Sequence, residues 1–369
     1  MKLGFLTLAH LRMPLVSAFE TAFGRTTHRE CILISLAAEG LIGYGECVAD
    51  HDPGYSYETT GTAWHILRDF IAPAILGQDI PDAESYQRRV EGIRGHQLAK
   101  AGVEMAIWDL LGKRANKPLR ELLGGERTQV EVGVSIGLQA SSEKLVETVA
   151  EYVAQGYRRV KLKIKPGHDY AETLAVHKAF PNLLLQVDAN SSYTLVTSEA
   201  LMPLDNLGLL LIEQPLQEDD IWDHRRLQAQ FKTSLCLDES IISVRHARYA
   251  IEMEACRIIN VKPGRLGGLS QGIAVQQLCR SRGMPVWVGG MLETGVGRAS
   301  NLALASLPGF TLPGDISASN RYYMRDITNE RFFLNADSTI DVPTAPGLGV
   351  TLDPGAMKAY TMAETTIRS

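Results

Sequence analysis

Lysines and acids recur along this chain at nearly constant intervals. Lys163, Asp188, Glu213 and Asp238 follow one another at 25 residues, and Lys262 comes 24 after Asp238. Each closes a short β-rich run: Val-Lys-Leu-Lys163, Leu-Gln-Val-Asp188, Leu-Leu-Ile-Glu213, Leu-Cys-Leu-Asp238 and Ile-Asn-Val-Lys262. Taken singly, an acid in such a place caps a loop or helix, and a strand lysine is a solvated edge residue. A series at one spacing is different, because consecutive strand ends share a rim. Three carboxylates gathered there repel one another unless a cation sits among them. Ligation by oxygen alone is hard, which selects magnesium, with manganese as a substitute, over zinc. Lys163 precedes the acids and Lys262 follows them, so the two flank the site with room for a substrate between. A lysine near a cation and other ammonium groups is expected to have its pKa pushed down, making it a usable base near neutrality. The metal would accept a substrate carboxylate and stabilise the charge of an enediolate. The chemistry expected is abstraction of a proton alpha to a carboxylate, on a small-molecule carboxylate substrate.

The elements that must position these residues are legible in outline. Eight short β-rich runs, at 130–136, 160–164, 184–188, 209–213, 235–238, 257–262, 285–288 and 310–312, alternate with helical stretches. That is the requirement of a (β/α)8-type barrel, whose active sites lie at the C-terminal ends of the strands. Strand alternation sets direction: Val160, Leu162 and Ile164 share one face, which turns Lys161 and Lys163 inward. By the same rule Ile259 and Val261 face out, and Asn260 and Lys262 face in. Before the barrel, residues 2–50 alternate like an antiparallel sheet with a turn at Ala38-Glu39-Gly40. Val103, Ala106, Ile107, Leu110 and Leu111 then mark an amphipathic helix ending near Gly112. The expected fold is α/β: an α+β capping domain over 1–125, the catalytic barrel over 126–324, and a tail over 325–369 returning to the cap. Strand-like stretches at 331–334 and 339–342 are expected to make that return.

Composition excludes several alternatives. With 37 basic against 42 acidic residues the net charge is -5, and no basic block invites nucleic acid. No apolar stretch is long enough for a bilayer, and His10 and Arg12 interrupt anything resembling a signal peptide. Cys31, Cys47, Cys236, Cys256 and Cys279 are scattered and lack Cys-x-x-Cys spacing, so they read as reduced packing residues of a cytoplasmic protein. The nine histidines show no metal or triad spacing; His168, His177 and His224 read as surface or packing residues. No glycine-rich phosphate loop follows the first run, which weakens a nucleotide-binding reading.

With these motifs in place, the sequence resembles the enolase superfamily in its muconate-lactonising subgroup. Lys161-Leu-Lys163, Asp188-Ala-Asn190, Glu213-Gln-Pro215, Asp238-Glu-Ser240 and Lys262-Pro-Gly264 stand in that family's order, and the likeness covers nearly the whole chain. More narrowly, Gly289-Gly-Met-Leu-Glu-Thr-Gly-Val-Gly-Arg298 and Leu312-Pro-Gly-Asp-Ile-Ser-Ala-Ser319 resemble o-succinylbenzoate synthases. That branch also includes N-succinylamino acid (N-acylamino acid) racemases. The resemblance implies Asp188, Glu213 and Asp238 as Mg2+ ligands, Lys163 and Lys262 as acid/bases on opposite faces, and Lys161 as support for Lys163 and the substrate carboxylate. One constellation then serves a syn dehydration in menaquinone biosynthesis and a racemisation. Arg265, three residues after Lys262, is typical of the racemising branch, and its guanidinium is expected to favour neutral Lys262. The alternative for Arg265 is a structural residue after the Pro-Gly turn.

Substrate contacts are expected from Ser135 on the first run, from Gly290, Met291 and Leu292 flooring the pocket, and from Phe19 in a segment folding over the mouth. Phe23 shares that segment, while His51, Asp52, Pro53 and Tyr55 occupy a second mouth loop. Asn190 and Glu239 are placed to orient the carboxylates. A homo-oligomer is expected, since enzymes of this family commonly associate. The nearest rival function is a dipeptide epimerase or cycloisomerase of the same subgroup. A catalytically silent scaffold would be missing bases or ligands, and all five are present.

Overall fold

The computed structural model describes residues 1–369. The first fifty residues form a meander in which β1 (Leu3–Thr21) pairs antiparallel with β2 (Gly24–Ala38), and β2 with β3 (Leu41–Cys47). The β2–β3 turn falls at Glu39-Gly40, both with positive φ, as a two-residue hairpin turn with right-handed strand twist requires. A register break between Pro14 and Phe19 detaches the β1–β2 tip from the rest of the sheet. The tip reaches the barrel, where Leu138 N–H donates to Glu20 O at 2.9 Å.

Helix α1 (Gln97–Ala115) differs from the amphipathic element expected. Thirteen of its nineteen residues are buried, because it packs extensively on β3 and also contacts elements of the barrel. Glycine permits the close approach: a Cβ on Gly45 would stand 2.0 Å from Gly102 O. The helix also continues past Gly112 and stops at Asn116, whose φ of 51° is the left-handed cap.

Seven parallel strands follow in sequence order: β4 (Val134–Ile136), β5 (Arg159–Lys163), β6 (Leu184–Asp188), β7 (Ile212–Glu213), β8 (Leu235–Leu237), β9 (Ile258–Val261) and β10 (Val286–Val288). The eighth expected run, 310–312, is not a strand. Its neighbourhood still closes the ring, with Thr311 N–H donating to Val286 O at 3.1 Å and Asp315 N–H to Val288 O at 2.9 Å. On the other side Gly133 N–H donates to Gly314 O at 2.8 Å and Gly314 N–H to Glu131 O at 3.0 Å. Pro313 has no N–H for a ladder, so this eighth place is filled by irregular chain.

The first run also divides: Gln129–Glu131 pairs antiparallel with Thr339–Asp341, and only Val134–Ile136 enters the ring. Residues 339–341 therefore pair beside the barrel instead of in the cap, and 331–334 forms no strand. After α2 (Gly295–Ala305), it is β11 (Thr361–Arg368) that rejoins the first sheet, antiparallel to β1. Buried apolar side chains fall mainly into two clusters, of 63 and 26 residues, so the capping elements hold a core of their own. The five cysteines are buried and unpaired. No helix is long and apolar enough to cross a membrane.

Candidate active site

Four steps around eight places separate β5 from β9, so Lys163 and Lys262 enter from opposite walls of the ring. Register sets Lys163 level with Asp188, and Asp188 level with Glu213. Lys163 Nζ donates to Asp188 Oδ2 at 2.6 Å and to Asn190 Oδ1 at 2.7 Å. On the far wall Lys262 Nζ donates to Asp238 Oδ2 at 2.7 Å and to the Tyr55 hydroxyl at 3.1 Å. Lys161 is the hub between them, 3.1 Å from Asp188, 3.0 Å from Glu213 and 2.5 Å from Asp315. All three lysines line one cavity of about 170 Å3.

The loops after the strands explain how these groups are held. Asn190 adopts a φ of 42°, a conformation asparagine tolerates better than most residues. From there its N–H donates to Asp188 Oδ1 at 3.0 Å and its amide to Glu239 Oε1 at 2.8 Å. Asn260, inward on β9 as alternation requires, donates to Glu213 Oε1 at 2.7 Å. Glu239 thus contacts Asn190 and not a carboxylate, with burial and then Asp188 pushing its pKa up to about 7.

With no cation among the acids, Lys161 and Lys262 stand above their ordinary pKa. Burial lowers Lys161, but Asp315, Glu213 and Asp188 outweigh it and hold its pKa above the ordinary value. Lys262 is raised in the same way, burial being opposed by Tyr55, Glu239 and Glu213. Acids at contact distance decide Lys161, while Lys262 is raised by the Tyr55 hydroxyl it touches and by glutamates beyond ion-pair distance. Their counterpart is Asp188, which burial would raise but which Lys163 and Lys161 bring down to about 2. Arg265 shares both partners of Lys262. Its guanidinium pairs with Asp238 and donates to the Tyr55 hydroxyl at 3.0 Å, so its charge is directed to the acid that Lys262 also uses.

Asp188, Glu213 and Asp238 are fully buried on adjacent strands but do not form one metal-ligating group in this arrangement. Lys161 lies between Asp188 and Glu213, while Lys262 and Arg265 draw Asp238. The chemistry of the donors fits a hard divalent cation, since all are carboxylate oxygens. Glu239 Oε2, buried with no hydrogen-bond donor, adds acceptor capacity beside them.

Comparison with known proteins agrees with this geometry. Residues 144–356 match the enolase C-terminal domain-like family, and residues 6–124 the mandelate racemase / muconate lactonizing enzyme N-terminal domain. The chain belongs to the enolase superfamily. An o-succinylbenzoate synthase of Geobacillus stearothermophilus is 47% identical over 97% of this chain and 95% of its own. An N-succinylamino acid racemase of Thermus thermophilus is 47% identical over 93% of this chain and 92% of its own. A crystal structure of an enolase-superfamily member from Listeria innocua superposes with a TM-score of 0.96 at 42% identity, covering 100% of this chain and 99% of that one.

In this enolase-superfamily enzyme the expected substrate contacts gather at the same cavity. Ser135, Asn190, Gly290, Met291, Leu292 and Phe19 all line it. Ser135 Oγ is buried with no partner in the protein. Phe19 sits edge-on to Tyr322 with ring centroids 6.5 Å apart. Leu292 holds a φ of 58°, a costly conformation for a leucine on the pocket floor. Gly290 also lies against protein backbone: a Cβ there would stand 2.4 Å from Asp315 O.

Two residues had no role assigned from sequence. Asp315 joins Lys161 to the buried Arg159. Its signal was weak, because it lies three residues beyond the eighth run, where Asp188, Glu213 and Asp238 close theirs. Tyr55 had only its place in a mouth loop, and its contact with Lys262, Asp238 and Arg265 spans residues far apart in the chain.

Proposed function

We propose that this enzyme removes a proton alpha to a carboxylate as an o-succinylbenzoate synthase, with N-succinylamino acid or N-acylamino acid racemase activity at the same site. The observation that carries this reading is the pair Lys163 and Lys262, on opposite walls of one cavity. A substrate alpha carbon between them presents one face to each lysine Nζ. In dehydration Lys163, as the free amine, takes the alpha proton and passes it to the departing hydroxyl on the same face, which leaves as water, while cationic Lys262 offsets the enediolate charge. In racemisation one lysine takes the proton and the other returns one to the opposite face. Asp188 and Asn190 hold Lys163 in place for either task, and Asp238 and Tyr55 hold Lys262. Asp188, Glu213 and Asp238 would hold Mg2+, or Mn2+ in its place. When bound there, such an ion would supply positive charge to a substrate carboxylate.

A dipeptide epimerase fits less well. The acids lining the cavity are already engaged, Asp50 by Arg29, Asp52 by Gly54 N–H and the His51 ring, Glu58 by the N–H groups of Leu98 and Ala99, and Asp315 by Arg159 and Lys161. None is left to pair for a peptide ammonium. We place the enzyme in the cytoplasm as a homo-oligomer without nucleic-acid or membrane partners.

A paired assay tests the reading. Purified protein with Mg2+ is given the cyclohexadiene precursor of o-succinylbenzoate in one arm and each enantiomer of N-succinylphenylalanine in D2O in the other. Activity is expected in both arms, is abolished by chelation, and returns with Mg2+ or Mn2+. Dehydration without exchange would remove the racemase assignment, and inactivity in both arms would reject the substrate class.

A further inference from the structure

The cavity has a second charged pole that the proton chemistry does not use. Five cations line it: Arg25, Arg29, Lys161, Lys163 and Lys262. Four are paired, Arg29 with Asp50 at 2.8 Å, Lys161 with Glu213 at 3.0 Å, Lys163 with Asp188 at 2.6 Å and Lys262 with Asp238 at 2.7 Å. Arg25 alone has no partner. It stands at the start of β2, just past Gly24, on the β1–β2 tip. The tip is fastened over the mouth by Glu20 O accepting from Leu138 N–H, by Phe19 against Tyr322, and by Phe23 edge-on to Tyr55 with centroids 6.3 Å apart. Its cross-strand neighbour Glu20 is in register but forms no ion pair with it. Arg25, exposed on the tip, therefore lines the cavity mouth from the cap without an ion-pair partner, while the strand-end lysines and acids occupy the barrel wall.

We infer that Arg25 is a specificity-determining residue that binds a second, distal carboxylate on the acyl tail of the substrate. This rests on the proposed function and names the feature of the substrate that the cap selects. A dianion with one carboxylate at the strand ends and another at the far end of a short acyl chain satisfies both poles. A guanidinium suits that role because it binds carboxylate through two parallel N–H groups.

The test compares N-succinylphenylalanine with N-butyrylphenylalanine, which replaces the tail carboxylate by a methyl group, in wild type and Arg25→Gln. KM for the succinyl substrate is expected to rise about tenfold in the variant at nearly unchanged kcat, the loss of one charge-assisted contact. KM for the butyryl substrate should not move, and Arg25→Lys should restore part of the difference. Equal effects on both substrates, or none on either, would overturn the assignment. Glu20→Gln gives an independent check, since removing the nearby carboxylate should lower KM for the succinyl substrate only. Calorimetric binding of o-succinylbenzoate against 2-butyrylbenzoate reads the same contact without turnover. An enzyme inactive on both amino acids, yet losing only o-succinylbenzoate affinity in Arg25→Gln, would refute the racemase reading and keep this one.

Discussion

At the scale of single residues, the site is a set of buried charges whose balance depends on every member. Asp315 shows this most clearly, because it is the shared acid of Arg159 and Lys161, both almost wholly enclosed. Burial would raise its pKa, but Arg159 and Lys161 hold it well below the carboxylate range. Asp315→Asn leaves two buried cations undercompensated, a change that costs about 3 kcal/mol or more. Denaturant unfolding of that variant should show the loss, along with a strong fall in kcat from a displaced Lys161. Lys262→Ala makes a separate prediction. Exchange of the alpha proton from one enantiomer should persist through Lys163, while exchange from the other falls by about a thousandfold. Equal loss for both enantiomers would mean that the lysines do not divide the two faces.

At the scale of elements, each barrel strand delivers its residue and the loop after it fixes the side chain. The loop beyond Glu213 is pinned by His224 from the following helix. Leu216 N–H donates to His224 Nε2 at 3.2 Å, which makes Nδ1 the protonated nitrogen facing Asp220 O at 2.5 Å. Burial lowers the pKa of this neutral histidine from 6.5 to about 4. The unfolded chain protonates His224 near its ordinary pKa and the folded chain only near the lower value. Between them the unfolded state binds more protons, so stability falls as pH falls through that window. The group's share is about 3 kcal/mol when the window has been crossed. A urea series from pH 7 to pH 4 should show this slope in wild type and lack it in His224→Gln.

At the scale of the whole molecule, the cap and the barrel meet through a carboxylate. Glu46 on β3 is buried at the N-terminus of α2, accepting from Thr294 Oγ1 at 2.5 Å, Thr294 N–H at 3.1 Å and Gly297 N–H at 3.0 Å. Burial pushes its pKa up to about 7, and neighbouring Glu293 adds to the rise. Glu293 in turn accepts from Met291 N–H at 2.8 Å, which ties this clasp to the pocket floor. Glu46→Ala at pH 6 should lower stability by about 2 kcal/mol, as buried donors lose their acceptor. Thermal unfolding checks the size of the effect. A variant as stable as wild type would show that the two units do not depend on this contact.

Much of this arrangement was determined by local rules that a sequence obeys wherever it folds. Alternation along 160–164 and 258–262 settled which lysines and which asparagine face inward, because successive strand residues must point to opposite sides. Spacing near 25 residues put Asp188, Glu213 and Asp238 on neighbouring strands, since each strand–helix unit of the ring consumes that length of chain. Contacts between distant segments were decided only by tertiary structure. Pro313 denied the eighth place a regular strand, and 339–341 found a partner at 129–131 instead of in the cap. Arg265 came to Asp238 and Tyr55, and Lys161 and Lys262 stand above their ordinary pKa, because both depend on which charges the fold brings near. That proximity is a property of the closed ring and its cap, and no local pattern encodes it.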